Sequence, residues 1–237
     1  MEFEEWEPVY EAILADFGYD RAADEQARDI LVDLFEDTGL FEGAESFDPV
    51  GLDLAGNRVA VAGDAPSLPA DVAMAANADA VVATAGATAI LRERDVSVDC
   101  TVTDLDTDPA AIVESAARGH SVVVHAHGDN IEALRTYVPR LDGASVIATT
   151  QAEPTGPVRN FGGFTDGDRG AFLADALGAE SLVFPGWDFD DPHVTAVKRR
   201  KLQWAERLLY WLERRRSESF AILDGRRDGI ETTDLPI

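Results

Sequence analysis

From residue 57 onward the chain alternates short, almost wholly apolar runs with helical segments, and no other feature limits its fold so tightly. The runs are Arg58–Ala62, Ala80–Thr84, Cys100–Thr103, Val122–Ala126, Ser145–Thr149, Ser181–Phe184 and Phe220–Leu223. A strand with one wet face alternates apolar and polar residues; these do not, so both faces must be covered. The pattern predicts an α/β fold, with a mostly parallel, doubly wound sheet carrying helices on both faces. An amino-terminal helical segment precedes it. The predicted organisation is a helical cap over residues 1–48 and one α/β domain over residues 49–237.

The cap is read from helical spacing. Trp6, Tyr10, Ile13, Leu14 and Phe17 recur on one face, with Gly18 as a stop. Ala27, Ile30, Leu31, Leu34 and Phe35 repeat the pattern between Asp20 and Asp37, ending at Gly39. Residues 1–48 hold 16 acids and two arginines. They read as amphipathic helices with acidic, solvated backs and no catalytic role.

Charge excludes several classes of function. Against 45 acidic side chains stand 20 basic ones, for a net charge of −25. Such a surface repels nucleic-acid phosphates and anionic membranes over most of its area. Eighteen of the 20 basic residues are arginine and only Lys198 and Lys201 are lysine. Excess carboxylate with little lysine fits a cytosol rich in salt, where about 1 M ions shorten the Debye length to about 3 Å. Cys100 is the single cysteine, so no internal disulfide or thiolate cluster forms. The acidic start MEFEEWEPVYEA is unlike a secretory signal, and no apolar run is long enough to cross a bilayer. A cytoplasmic location is expected, with small-molecule partners and with a homo-oligomer left open.

In open parallel sheets ligands bind beyond the carboxyl ends of the strands. The exits read GDAPSL (63–68), TAGAT (84–88), TDLD (103–106), HAHGDN (125–130), TTQ (149–151) and PGWDFDD (185–191). If strand geometry continues through TDLD, Asp104 and Asp106 face one side, about 6.5–7 Å apart. Two such carboxylates suit Mg²⁺, which keeps water and phosphate in its other positions. The alternative is a helix cap, although Asp108 before Pro109 already fills that place. In HAHGDN, His125, His127 and Asp129 alternate. A binuclear metal hydrolase, phosphate and Mg²⁺ handling, and a core histidine at position 125 all fit this motif. The chain holds only two further imidazoles, His120 and His193, which weakens the hydrolase reading.

The loop Asn160–Arg169 joins Gly162 and Gly163 to a helix start, where backbone N–H groups and the dipole suit an anion. Arg169 would partner phosphate, while Asp166 and Asp168 could serve only as caps. On a helical wheel for Thr195–Arg216, Lys198 and Lys201 fall within the apolar stripe of Trp204, Ala205, Leu208, Leu209, Trp211 and Leu212. Either they snorkel past it or they bring ammonium groups to phosphate. Pro66, Ser67, Asn130, Thr149, Gln151 and Asp188 lie at the strand exits as further candidates for ATP or substrate contact. Phe161, Phe164, Trp187 and Phe189 could stack on a flat ring or simply fill the core.

Taken in order, GxxPSL, TDLD, HAHGDN, TTQ, NFGGFTDGDR, GWDFDD and the Lys-x-x-Lys helix resemble the archaeal 6-hydroxymethyl-7,8-dihydropterin diphosphokinases. These share a domain related to thiamine diphosphokinase, and the likeness spans about residues 57–223. It implies transfer of diphosphate from ATP to the hydroxymethyl group of a reduced pterin, with release of AMP, on the way to folate or methanopterin. It also implies Mg²⁺ on Asp104, Asp106 and Asp129, and phosphate stabilisation by His127, Lys198 and Lys201. The 162–169 loop would touch nucleotide or pterin. Two positions depart from the family pattern: Ala85 stands where an acid is usual, and Thr107 where glycine is. A thiamine diphosphokinase, a sugar-transferring relative and a non-catalytic nucleotide-binding module are the competing functions.

Overall fold

The computed structural model describes residues 1–38, 52–141 and 146–237. Helices α1 (Phe3–Phe17) and α2 (Arg21–Thr38) come first. Strands and helices then alternate: β1 (Arg58–Ala62), α3 (Leu68–Ala76), β2 (Ala80–Thr84), α4 (Ala85–Arg92), β3 (Cys100–Thr103), α5 (Pro109–Ala116), β4 (Ser121–Ala126) and α6 (Ile131–Tyr137). They continue with β5 (Val146–Thr150), α7 (Asp166–Ala176), β6 (Ser181–Val183) and α8 (Ala196–Arg216). The strands form one parallel sheet in the order β5-β4-β3-β2-β1-β6. This is the α/β architecture that the apolar runs predict, with the helical segment ahead of it.

Two compact units divide the chain: residues 1–53 with 99–161, and residues 54–98 with 162–237. In the second, β1 pairs with β2 (Val59 opposite Ala80) and with β6 (Val59 opposite Leu182). Right-handed crossovers put α3 and α4 on one face and α7 on the other, because β6 returns to the far side of β1. Ala60, Ala62, Val81 and Ala83 accordingly pack with Leu68 and Ala75 of α3 and Ala87 and Leu91 of α4. Val59, Val61 and Val82 are buried on the other side, the face of α7. Each such Val or Leu contributes about 1.5–3 kcal/mol when fully removed from water.

In the first unit, β4 pairs with β3 (Val122 opposite Thr101) and with β5 (Val124 opposite Ala148). Helix α1 buries Trp6, Val9, Tyr10, Ile13 and Leu14. It ends at Gly18, whose φ of 70° turns the chain so that the Tyr19 N–H reaches the Leu14 carbonyl at 3.0 Å. The buried stripe of α2 is Asp24, Ala27, Leu31 and Phe35, packed toward β4, β5 and α6. Thus α2 packs against the strands of its own unit. The boundary expected at residue 48, the stop at Gly39 and the strand start at Ser145 lie outside the described residues.

One expected strand is corrected. Ala221–Leu223 is a turn of 3-10 helix, because its neighbours use the backbone groups that a ladder needs. Phe220 N–H donates to Glu213, and Arg227 donates to the Phe220 carbonyl.

Candidate active site

In the first unit the exits of β3 and β4 are laced together. Strand β3 stops at Thr103, whose hydroxyl accepts the Leu105 N–H at 2.9 Å. Leu105 then takes a left-handed conformation with φ 66° while its side chain is buried. For a bulky L-residue this costs on the order of 1–2 kcal/mol, and such strain gathers at functional sites. Asp106 N–H turns back to the Asp104 carboxylate at 3.2 Å. The two acids therefore converge through a tight turn, and the extended geometry expected from the sequence does not occur. Burial and the negative charge of Asp104 push the Asp106 carboxyl above its ordinary value.

Asn130 is the brace. Its amide N–H groups donate to the carbonyls of Asp104 (2.8 Å) and His125 (2.6 Å), and its oxygen accepts the His127 N–H (3.0 Å). One side chain thereby fixes both exits. His127 places Nε2 3.2 Å from the Asp104 carboxylate, while its Nδ1 accepts the Asp129 N–H at 3.3 Å. That acceptor role leaves the ring proton on Nε2, facing Asp104. The chain leaves strand geometry after Ala126, so Asp129 sits at an exposed loop position. Among the described residues no three His, Cys, Asp or Glu side chains form a metal-holding group. The exits bring the carboxylates of Asp104 and Asp106 together, while Asp129, the third carboxylate expected there, stands at an exposed position of the adjoining loop.

The core reading of His125 holds. The ring is 2% exposed, with Nδ1 3.1 Å from the Thr149 hydroxyl, which donates onward to the Val124 carbonyl. Thr149 is thus buried with its hydroxyl engaged inside the fold. Gln151 is 4% exposed and donates to Asp24 at 2.7 Å.

In the second unit, the exits of β1 and β6 meet backbone to backbone. Gly63 N–H donates to the Pro185 carbonyl and Ala65 N–H to that of Gly186. A Cβ on Gly63 would lie 2.6 Å from the Gly186 oxygen. Trp187 donates to the Val61 carbonyl at 2.8 Å and lies so close over Gly167 that a Cβ there would be 2.7 Å from the ring. Gly162 and Gly163 both take positive φ, and a Cβ on Gly163 would meet the Arg169 backbone at 2.6 Å.

Asp168 caps α7. Its Oδ1 accepts the N–H groups of Phe164, Thr165 and Arg169, and Thr165 completes the reciprocal capping box. Burial pushes its carboxyl up to about 6. Arg169, also buried, pairs with Asp166 at 2.9 Å. The capping reading therefore accounts for Asp168.

Pro66 and Asp188 are exposed. The Ser67 hydroxyl is buried and has no hydrogen-bond partner among the described residues. Phe164 and Phe189 are buried, as core packing requires. The lysine stripe is corrected. Lys198 stands exposed on a first turn where even Val197 is 57% exposed, so the packed stripe starts only at Trp204. Lys201 is half-buried, its ammonium 5.6 Å from the Phe164 ring centroid.

Two residues escaped the sequence reading. Leu105 gives no signal, since its conformation is rare for leucine. Asp24 did give one: with Ala27 and Leu31 it occupies i, i+3 and i+7 of a buried stripe, where an acid is out of place.

Comparison with known proteins gives a consistent result. Residues 42–193 match the family model described as 6-hydroxymethylpterin diphosphokinase MptE-like. A 6-hydroxymethyl-7,8-dihydropterin pyrophosphokinase of Methanothermobacter thermautotrophicus is 41% identical over 231 residues, covering 90% of this chain and 96% of the relative. Proteins of the same description from Pyrococcus furiosus and Methanocaldococcus jannaschii are 36% and 31% identical. Both alignments cover 90% of this chain, with 95% and 96% of the respective relatives. Among the described residues no helix is long and apolar enough to cross a membrane.

Proposed function

Because the chain belongs to the MptE-like 6-hydroxymethylpterin diphosphokinase family of enzymes, we propose that it moves the terminal diphosphate of ATP onto 6-hydroxymethyl-7,8-dihydropterin and releases AMP. The observation that carries this reading is the 41% identity to a pyrophosphokinase of that pterin, which covers nearly the whole of both chains. The relatives' names also favour the pterin over thiamine as acceptor.

In such a transfer the hydroxymethyl oxygen forms a bond to the β-phosphorus. The bond from that phosphorus to the α,β-bridging oxygen breaks, AMP leaves with the electron pair, and the hydroxyl proton passes to solvent. The protein has little covalent work to do; it positions the reactants and offsets developing negative charge. Asp104 and Asp106 are the residues we assign to Mg²⁺. Two mutually repelling carboxylates, one with its proton affinity raised by burial and by the other, fit a cation that needs only one or two protein ligands. Bound there, Mg²⁺ would screen charge on the polyphosphate.

The strain at Leu105 and the brace from Asn130 hold this pair in place before substrate arrives. His127, through its Nε2–H, orients the Asp104 carboxylate. Lys198 and Lys201 are assigned to the phosphates as point charges.

The test is to follow AMP formation from ATP and Mg²⁺ in concentrated KCl, with the pterin and then with thiamine as acceptor. AMP that requires the pterin is expected. Turnover with thiamine alone, or ADP formed without any acceptor, would refute the proposal.

A further inference from the structure

Asp24 lies in the amino-terminal segment, ahead of the part of the chain that matches the family model. Its carboxylate is 4% exposed and is satisfied entirely by uncharged donors. Oδ2 accepts the Tyr10 hydroxyl at 2.8 Å and the Gln151 amide at 2.7 Å, and Oδ1 accepts the Gly128 N–H at 2.8 Å. Burying a charge in this way is costly, and a purely structural site is served as well by an apolar residue of similar volume. A carboxylate side chain accepts at both oxygens and so can take all three donors. Burial and the adjacent Asp24 hold the Tyr10 hydroxyl protonated, far above its ordinary range, so the phenol stays a donor.

Two of the three donors belong to segments leaving the sheet. Gly128 lies between His127 and Asp129 beyond β4, and Gln151 follows β5. The approach of α2 to the first is as close as atoms allow, since a Cβ on Gly128 would lie 2.7 Å from the Ala23 Cβ. Trp6 of α1 adds a bond from its indole N–H to the Gln151 carbonyl at 2.9 Å. The next residue back, His127, is the one whose Nε2 meets Asp104.

We propose that Asp24 is a positioning residue for the reaction: it holds the His127–Asp129 loop by the Gly128 N–H and the β5 exit by Gln151, and so sets His127 against Asp104. The proposal rests on the assignment of Asp104 and Asp106 above. It makes the amino-terminal helices part of the working site.

The test compares Asp24→Ala and Asp24→Asn with the wild-type full chain, by steady-state kinetics and by hydrogen exchange of segment 127–130. Asp24→Ala is expected to fold, to lose about tenfold to a hundredfold in kcat, and to keep KM for the pterin within about twofold. Exchange in 127–130 should accelerate while the strands stay protected. Asparagine keeps one oxygen for the Gly128 N–H, so Asp24→Asn should recover part of the lost kcat and of the protection. A folded Asp24→Ala with wild-type kcat, or with unchanged exchange at 127–130, would overturn the proposal. So would failure of both variants to fold, which would make Asp24 a requirement of folding alone. If the wild type itself fails to transfer diphosphate to the pterin, the functional assignment fails, and the exchange data still report separately on Asp24's hold on the loop.

Discussion

Asp168 makes the stability of this protein depend on pH in a direction opposite to that of most carboxylates. The side chain is fully buried, and its value rises from 3.8 to about 6, chiefly through burial. At about 1.4 kcal/mol per unit the shift amounts to about 3 kcal/mol. Because the folded value lies above the unfolded one, the folded state holds the proton more tightly. The contribution is complete below pH 3.8 and disappears as pH rises through about 6. Asp168→Asn cannot ionise, yet its amide oxygen can still accept the N–H groups that Oδ1 now takes. The difference in unfolding free energy between wild type and Asp168→Asn should therefore move by about 2–2.5 kcal/mol in favour of the variant from about pH 4 to pH 8, most of the full shift. Urea titrations at several pH values and one high salt concentration measure it. Any constant cost of burying the new amide cancels in the pH-dependent part. A flat difference, or a wild type that gains on the variant as pH rises, would show that the folded state does not hold the Asp168 proton more tightly.

Three further outcomes follow from the same structure. Asp106→Ala should cut turnover by about 100-fold or more. It should leave the thermal midpoint unchanged or higher, because a repulsion with Asp104 is removed; retained activity would move the cation elsewhere. Gly167→Ala drives a methyl into the Trp187 ring, which is held by its bond to Val61 and by Phe184 and Phe189. A loss of about 1–3 kcal/mol with a shift in tryptophan emission is expected, and no change would contradict the close approach. Thermal midpoints should climb with KCl, since −25 charges repel one another less as screening grows; a midpoint that ignores salt would argue against that repulsion.

The sheet was legible because its strands are covered on both faces, so continuous apolar runs marked them almost to the residue. The run at Phe220 misled for a physical reason: Glu213 and Arg227 use its backbone groups and close it into a tight turn. The candidate residues at the strand exits were legible by position, and their geometry less so. TDLD and HAHGDN sit where strand exits require, yet the left-handed Leu105 and the Asn130 brace determine how their side chains point. A helical wheel places Lys198 on the apolar face and carries no information on where packing begins along α8. Asp24 was hidden among 16 acids on a segment that reads as solvated, although its place in the Ala27–Leu31 stripe set it apart.

Transfer of diphosphate from ATP to a reduced pterin, the function proposed for this chain, leaves products that can be seen directly. Phosphorus NMR of the protein in concentrated KCl with ATP, Mg²⁺ and 6-hydroxymethyl-7,8-dihydropterin tests it directly. AMP and a pterin diphosphate ester, formed one for one, are expected. Inorganic phosphate with ADP, or ATP left unchanged, would contradict it.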